Sequence, residues 1–429
     1  MEMNRPSLLF LCQTLPYPAD GGVWIRTYHV LRLLSRAFDI TALCFERAAS
    51  AGASIDWKVA AGQEALGRFA NVEVFAIPQK RSRLRYGWDH VRSVASRRVY
   101  TTYLYESHAF RSRVRELVQS KRYDLIHVDS LDLAAYLPAC GSLPVVCVHH
   151  DVESALLRRR AAVERNRWRR SYLQFQADLM ENVERRWGER LALNVAVSNG
   201  DRTRLQRIAP RSRVAVVPNG VDADEFYPDG QDGSGIAYVG GTSPFPNRDA
   251  LEFFSDRILP AVRTLVGDVP VRWIGRAARE EQQHYRDRFG IELTGYVKDV
   301  RPMMREAACH IVPLRTGGGT RLKILNSWAM GKPVVATSVG CEGLEAVDGK
   351  NILIRDDPQD FAAAIGAVIE NPRLRQELAA GGRETVDRLY SWDVLGRELI
   401  ETYLTVAHAC PRDITPGVRV GGHPRYGHS

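Results

Sequence analysis

The sequence predicts an α/β protein of two units, each a parallel sheet covered by helices. Three observations carry this. Short apolar runs alternate with longer amphipathic segments, the pattern of strands joined by crossover helices. The 429 residues suffice for two or three domains with full cores. The 45% hydrophobic and 25% charged fractions are those of a soluble globular chain, which excludes a wholly disordered, collagen-like or disulfide-stapled protein. No apolar run approaches the ~20 residues needed to span a bilayer.

In the first half, strands are predicted at 8–12, 40–45, 72–77, 125–128 and 145–148. The run at 7–12 resembles a secretory h-region, but it is short and meets Pro16 and Pro18 without a small-x-small cleavage site. It reads as a buried strand, and the chain as cytoplasmic. A turn through Pro18, Asp20, Gly21 and Gly22 leads into an amphipathic helix over 23–38. Long helical patterns fill 82–121 and 153–191. A second set of strands is predicted at 214–217, 236–239, 271–274, 291–293, 310–314, 334–337 and 352–354, the first ended by Pro218-Asn219-Gly220. Helices fall at 249–265, 300–307, 321–330 and 359–370, and the two units join near 195–215. The Gly/Pro/His-containing tail after Cys410 reads as disordered. Seven cysteines (Cys12, Cys44, Cys140, Cys147, Cys309, Cys341, Cys410) form no C-x-x-C pair. They read as small core residues in a reducing compartment, not as a disulfide framework or zinc site.

The net charge of +9 is uneven: residues 1–210 hold 32 Lys+Arg against 21 Asp+Glu, and residues 211–429 hold 27 against 29. Residues 80–122 alone carry twelve basic and three acidic side chains, and Arg158-Arg159-Arg160 through Arg170 form a second cluster. With Trp and Tyr nearby, such segments suit an anionic membrane surface, an anionic acceptor or a solvated helix face. No nucleic-acid motif accompanies them.

The most informative stretch is 310–333. A strand ends, Gly317, Gly318 and Gly319 make a turn, and a helix starts with Thr320 as its N-cap. Gly331 and Pro333 end it. Glycines let a backbone approach a ligand closely, and a helix N-terminus with unpaired N–H groups is an anion site. Arg321 and Lys323 oppose the helix dipole there, a local penalty that a bound phosphate would remove. The alternative is a glycine turn with two solvated cations. A Walker A loop fails for want of Gly-Lys-Ser/Thr, and a dinucleotide fingerprint fails because Leu322 takes the place of its third glycine.

With these motifs in hand, the chain resembles the nucleotide-sugar glycosyltransferases of family 4, of the GT-B fold, over about residues 7–405. The resemblance rests on Pro16-x-Pro18-x-x-Gly21-Gly22, His150-Asp151-Val152-Glu153-Ser154, Val197-Ser198 and Val217-Pro218-Asn219-Gly220-Val221-Asp222. It continues in Tyr238-Val239-Gly240-Gly241 with Pro246-Asn247, in Thr294-Gly295-Tyr296-Val297, in the glycine turn with Thr320-Arg321-Leu322-Lys323, and in Tyr390-Ser391-Trp392. The resemblance implies two Rossmann-like domains facing across a cleft. Residues 1–195 would take the acceptor, 196–390 the nucleotide-sugar donor, and 391–408 would form a helix crossing back to the first domain, followed by the tail at 409–429. It also implies a retaining, metal-independent transfer of a hexosyl unit to a glycan or lipid-linked acceptor, with the donor as co-substrate and no other cofactor.

By the same resemblance, Arg321, Lys323 and the amides of Gly318, Gly319 and Thr320 hold the diphosphate. Gly21 and Gly22 close over it from the other side of the cleft. His150 contacts the donor sugar, or is simply a hydrogen-bonded strand end; His149 points the opposite way. Gly241, Tyr296 and Val297 line the donor pocket. Two glutamates of the family pattern are Gly318 and Asn326 here, and Asn326 keeps an acceptor but loses the charge. Where the family has a phosphate-binding lysine, Pro246-Asn247-Arg248 stands, and Arg248 is the candidate substitute. Asp222-Ala223-Asp224 matches an Asp-x-Asp metal motif but falls at a structural turn of the family. Two other readings are a nucleotide-sugar epimerase of the same fold and a non-catalytic nucleotide-sugar binder.

Overall fold

The apolar runs become strands because a parallel sheet buried on both faces needs Val, Leu and Ile at nearly every position. The computed structural model describes residues 5–46, 55–77, 79, 82–120, 123–230, 233–243, 245–317 and 321–409. The first half runs β1 (Ser7–Cys12), α1 (Gly22–Leu34), β2 (Asp39–Phe45), α2 (Ile55–Gly67), β3 (Asn71–Phe75), α3 (Arg83–Ser96), α4 (Thr101–Leu104) and α5 (His108–Ser120). It continues with β4 (Leu125–Val128), a 3-10 stretch (Leu131–Cys140), β5 (Val145–His149), α6 (Glu153–Val163), α7 (Arg167–Gly188), β6 (Leu193–Ala196), α8 (Asn199–Ile208) and β7 (Val214–Val216). The second half holds β8 (Ile236–Val239), α9 (Phe245–Phe253), α10 (Leu259–Val266), β9 (Val271–Ile274), α11 (Arg279–Phe289), β10 (Ile291–Leu293), α12 (Arg301–Arg305) and β11 (Cys309–Val312). Then come α13 (Leu322–Ala329), β12 (Val334–Ala336), β13 (Leu353–Ile354), α14 (Pro358–Glu370), α15 (Pro372–Leu389) and α16 (Trp392–Ala409).

Two parallel sheets result, in the orders β3-β2-β1-β4-β5-β6-β7 and β10-β9-β8-β11-β12-β13. Each order reverses once, between β1 and β4 and between β8 and β11. Doubly wound sheets bind ligands outside the carboxyl ends of their strands at such a point. Register follows apolar neighbours: Leu8 pairs with Ile40 on one side and Leu125 on the other. Alternation then splits the strand. Leu8 and Phe10 pack with α1 and α16, Leu9 and Leu11 with α5 and the 3-10 stretch.

The structure corrects several element boundaries. Val214–Val216, read from sequence as the first strand of the second set, pairs with β6 at the edge of the first sheet. Its Pro218-Asn219-Gly220 turn marks the exit from the first unit, not the entry to the second. The helical pattern at 82–121 breaks into three helices, because Arg97 adopts a left-handed conformation (φ 51°) that stops α3. The pattern at 153–191 breaks at Asn166, whose side chain caps α7 by accepting from the Trp168 and Arg169 amides. Helix α13 starts at Leu322 with Arg321 at its N-cap and no side-chain cap bond. The predicted cap Thr320, with Gly318 and Gly319, lies outside the described residues, as do Cys410 and the tail. The other six cysteines are buried and free.

The chain crosses between units twice, and the crossings are tied together: the Val221 amide donates to Tyr390 O (2.8 Å) and the Trp392 amide to Val221 O (3.2 Å). Arg26 of α1, only 1% exposed, grips the outgoing strand. Its guanidinium donates to Val217 O (2.8 Å), Pro218 O (2.9 Å) and Asn219 Oδ1 (2.9 Å). His29, one helical turn on, stacks on Trp392 at 4.8 Å. Leu395, Leu399 and Tyr403 of α16 then complete the core around Leu8 and Phe10.

Candidate active site

Both switch points carry polar residues, and the two sets face one another. On the first domain, β4 ends at Asp129, which is 1% exposed. Thr27 of α1 donates its hydroxyl to it at 3.0 Å, His150 Nε2 lies 3.3 Å away and His127 Nε2 3.7 Å. Burial alone would raise this carboxyl; His150 and His127 outweigh it and hold Asp129 well below the usual carboxylate range. His127 in turn stacks on Phe10 at 3.8 Å and is hydrogen-bonded through Nδ1 to the Tyr403 hydroxyl at 2.7 Å. The crossover helix therefore reaches the site through two side chains. Asp132 and Glu153 stand nearby, and burial raises both carboxyls.

On the second domain, Lys323 is the first-turn residue of α13. Its Nζ donates to the Tyr238 hydroxyl (2.5 Å) and to Asn247 Oδ1 (3.3 Å), and sits 4.0 Å from the Tyr238 ring centroid. Among the described residues no carboxylate forms an ion pair with Lys323. Burial, with Arg321 beside it, pushes its ammonium well below the ordinary lysine value. Arg321 is 8% exposed and its own value is lowered by burial. Its guanidinium folds back over the turn: a Cβ on Gly317 would lie 3.1 Å from Nη1, at a backbone φ of +126°. Glu342 and Asp151 partly offset the burial of Arg321, whereas at Lys323 the neighbouring charge is Arg321, which adds to the penalty.

Glycines keep the space around these cations open. A Cβ on Gly240 would lie 3.2 Å from Lys323 Nζ and 2.9 Å from Asn247 Nδ2. The amide of Asn247 donates to Gly241 O at 2.8 Å, fixing the turn after β8. Opposite, Gly22 opens α1, and a Cβ there would stand 3.9 Å from Leu322 Cδ1. The glycine turn of the first domain thus meets the start of α13, with Gly21 as the extended N-cap behind it. His150's neighbour Asp151 acts electrostatically on Arg321 from the first domain.

The structure brings His150, Gly22, Gly241, Asn247, Arg321 and Lys323 to this junction. It leaves other candidates apart. Arg248 is half-exposed and pairs with Glu281 at 3.1 Å, so its charge is spent away from Lys323. Tyr296 is 64% exposed, its ring covered by Arg276, while Val297 packs beside Ile274 and Met304. Asn326 lies one turn beyond Lys323, half-buried, with no side-chain hydrogen bond among the described residues. His149 is buried against Asn194 Oδ1 at 2.9 Å, away from the junction. Asp222 caps its own turn, accepting from the Asp224 and Glu225 amides. Asp129, Thr27 and Tyr403 were not singled out in the sequence; an acid directly after a parallel strand at the switch point was the available signal for Asp129.

Two family models match. Residues 20–225 match Glycosyltransferase Family 4, and residues 233–371 match Glycosyl transferases group 1. The phosphatidyl-myo-inositol mannosyltransferase of Mycobacterium leprae is 27% identical over 320 residues, covering 70% of this chain and 78% of its own. The D-inositol 3-phosphate glycosyltransferase of a Nocardioides species is 28% identical over 267 residues, 53% of this chain and 58% of its own. In fold, the chain is similar to Anabaena HepE in complex with UDP-glucose (TM-score 0.64, 16% identity, covering 93% of this chain and 100% of that one). It is similar also to sucrose-phosphate synthase from Thermosynechococcus elongatus (TM-score 0.66, 16% identity, 94% and 100%).

Proposed function

We propose that this chain, a glycosyltransferase of the GT-B fold, moves a hexosyl unit from a nucleotide sugar to a glycan or lipid-linked acceptor with retention of configuration and without a metal ion, in the making of a cell-surface glycoconjugate. The observation that carries the reading is Lys323: a half-buried amine with no carboxylate partner among the described residues, beside Arg321, aimed into a space that Gly240 keeps open. A diphosphate leaving group supplies the missing anion. As the bond from sugar to phosphate lengthens, negative charge grows on the diphosphate, and Arg321, Lys323 and the start of α13 stabilise it. The acceptor hydroxyl approaches the same face of the sugar from the first domain, where His150 is held by ionised Asp129. The names of the relatives, which act on inositol-bearing acceptors, support an acceptor that carries hydroxyls beside an anionic group. The excess of arginine on the first domain supports a site of action at the inner face of an anionic membrane, with no membrane-crossing helix among the described residues.

The test is incubation of the purified chain, with EDTA and without acceptor, against UDP-, GDP-, ADP- and dTDP-sugars, following thermal shift and nucleotide release. One donor that raises the melting temperature and is slowly hydrolysed fits the proposal. Conversion of donor to an isomer would make the chain an epimerase. Binding without release or transfer would make it a binder, and would turn attention to Asn326. No response to any donor would remove the phosphate site.

A further inference from the structure

Helix α3 is built inside out. At 100° per residue, Leu84, Trp88, Val91, Val94 and Ala95 share one arc, and Asp89 and Ser93 lie opposite. The polar arc is the buried one. Asp89 accepts from Gln79 (2.8 Å) and pairs with Arg92 (3.2 Å), and Ser93 Oγ accepts from Gln176 of α7 (2.8 Å). The apolar arc faces solvent: Leu84 is 87% exposed, Trp88 61%, Val91 55% and Val94 50%. A patch of this kind on an ordinary soluble surface marks something that covers it. Glu106 pairs with Arg85 and Arg92 beside it, and further arginines border the patch. Arg97 and Arg98 follow α3 and are exposed, and α7, bonded to α3 through Tyr172 and His90 at 2.6 Å, starts with exposed Arg167, Arg169 and Arg170. Trp168, on the same row of α7 as Tyr172 and Gln176, is 73% exposed.

We infer that α3 lies in the plane of an anionic bilayer, with Leu84, Trp88, Val91 and Val94 inserted at the boundary of headgroups and acyl chains. The arginines that flank it meet lipid phosphates, and Trp88 and Trp168 take the interfacial level that suits an apolar ring with a polar N–H. A second copy of the chain is the less favoured occupant, because pairing two such faces brings two arginine clusters together. This extends the membrane-facing part of the proposed function by assigning its element and by making it apolar insertion as well as charge. It is tested without donor or acceptor, so its failure leaves the transferase reading untouched.

The full chain is sedimented with vesicles of phosphatidylcholine alone and with about 30% phosphatidylglycerol, at low and at high salt. The bound fraction should be large on anionic vesicles and only partly lost in salt. Leu84→Ser/Trp88→Ser/Val91→Ser should lower it at least ~10-fold. Leu84→Gln, at an 87% exposed position, is the variant that leaves folding alone and should lower binding in the same direction. Binding that salt abolishes fully, binding equal in wild type and both variants, or no binding would overturn the inference. So would a dimer in solution that the triple variant converts to monomer.

Discussion

The two lips of the cleft are opposites in their electrostatics. On the first-domain lip a carboxylate stands among neighbours that suit its charge: Asp129 has Thr27, His150 and His127 around it. The second-domain lip is incomplete: among the described residues Lys323 finds only a phenol and an amide oxygen as hydrogen-bond partners. A carboxylate with such neighbours is fixed in place, whereas a buried amine with no anion beside it is completed by an anionic ligand. Under the proposed function the contrast divides the work: the second lip would take the anion, and the first would hold neutral hydroxyls in place.

That division can be broken most severely at Arg321. Arg321→Ala should slow turnover ~100-fold or more, with far-UV circular dichroism unchanged, since the loss is of charge at the leaving group. A variant that keeps its rate would show the second lip is not the anion site. Lys323→Met should slow turnover to a similar or slightly lesser degree and at the same time raise the melting temperature, because it removes an amine whose charged form is penalised there and leaves Tyr238 bonded to Asn247 at 2.7 Å. The same lysine predicts a proton balance. Its ammonium is held below the ordinary value in the free site, and a bound diphosphate favours the charged form. Donor binding therefore takes up a proton, and affinity falls as pH rises between the depressed value and that of a free lysine. Calorimetry in buffers of different ionisation heat reads the uptake, which Lys323→Met should abolish.

On the first lip the effects are smaller and mixed with stability. Asp129→Asn should cost ~1–3 kcal/mol, seen in denaturant unfolding, and slow transfer ~10-fold, because His150 loses its orienting charge. Rate loss without stability loss would make Asp129 a substrate contact instead. Tyr403→Phe, the smallest change, should cost about 1 kcal/mol and alter the pH profile of turnover slightly, since His127 loses one partner. An unaltered profile would confine Tyr403 to packing.

What the sequence disclosed and what it hid follow from range. Strand β1 was legible in the apolar run from Leu8 to Cys12, and the end of α13 in Gly331, whose φ is +62°. Arg321 and Lys323 stood out because cations at a helix start violate a local rule. The partnership of Tyr403 with His127 spans 276 residues, and no local pattern encodes it. Strand β7 was given to the wrong unit because an apolar run names no neighbour. At α3 the sequence showed only a long helical pattern over 82–121, and the polar contacts of Asp89 and Ser93 are what reveal which side is covered.

The placement of α16 has a consequence for biosynthesis. The side of the first sheet carrying Leu8, Phe10 and Ala42 is sealed by Leu395, Leu399 and Tyr403. Those residues leave the ribosome after the whole second domain. A nascent chain that has reached residue 389 can hold a nearly finished second domain beside a first domain with an open greasy flank, a natural client for chaperones. Loss of the last helix would then damage the part of the protein that was made first.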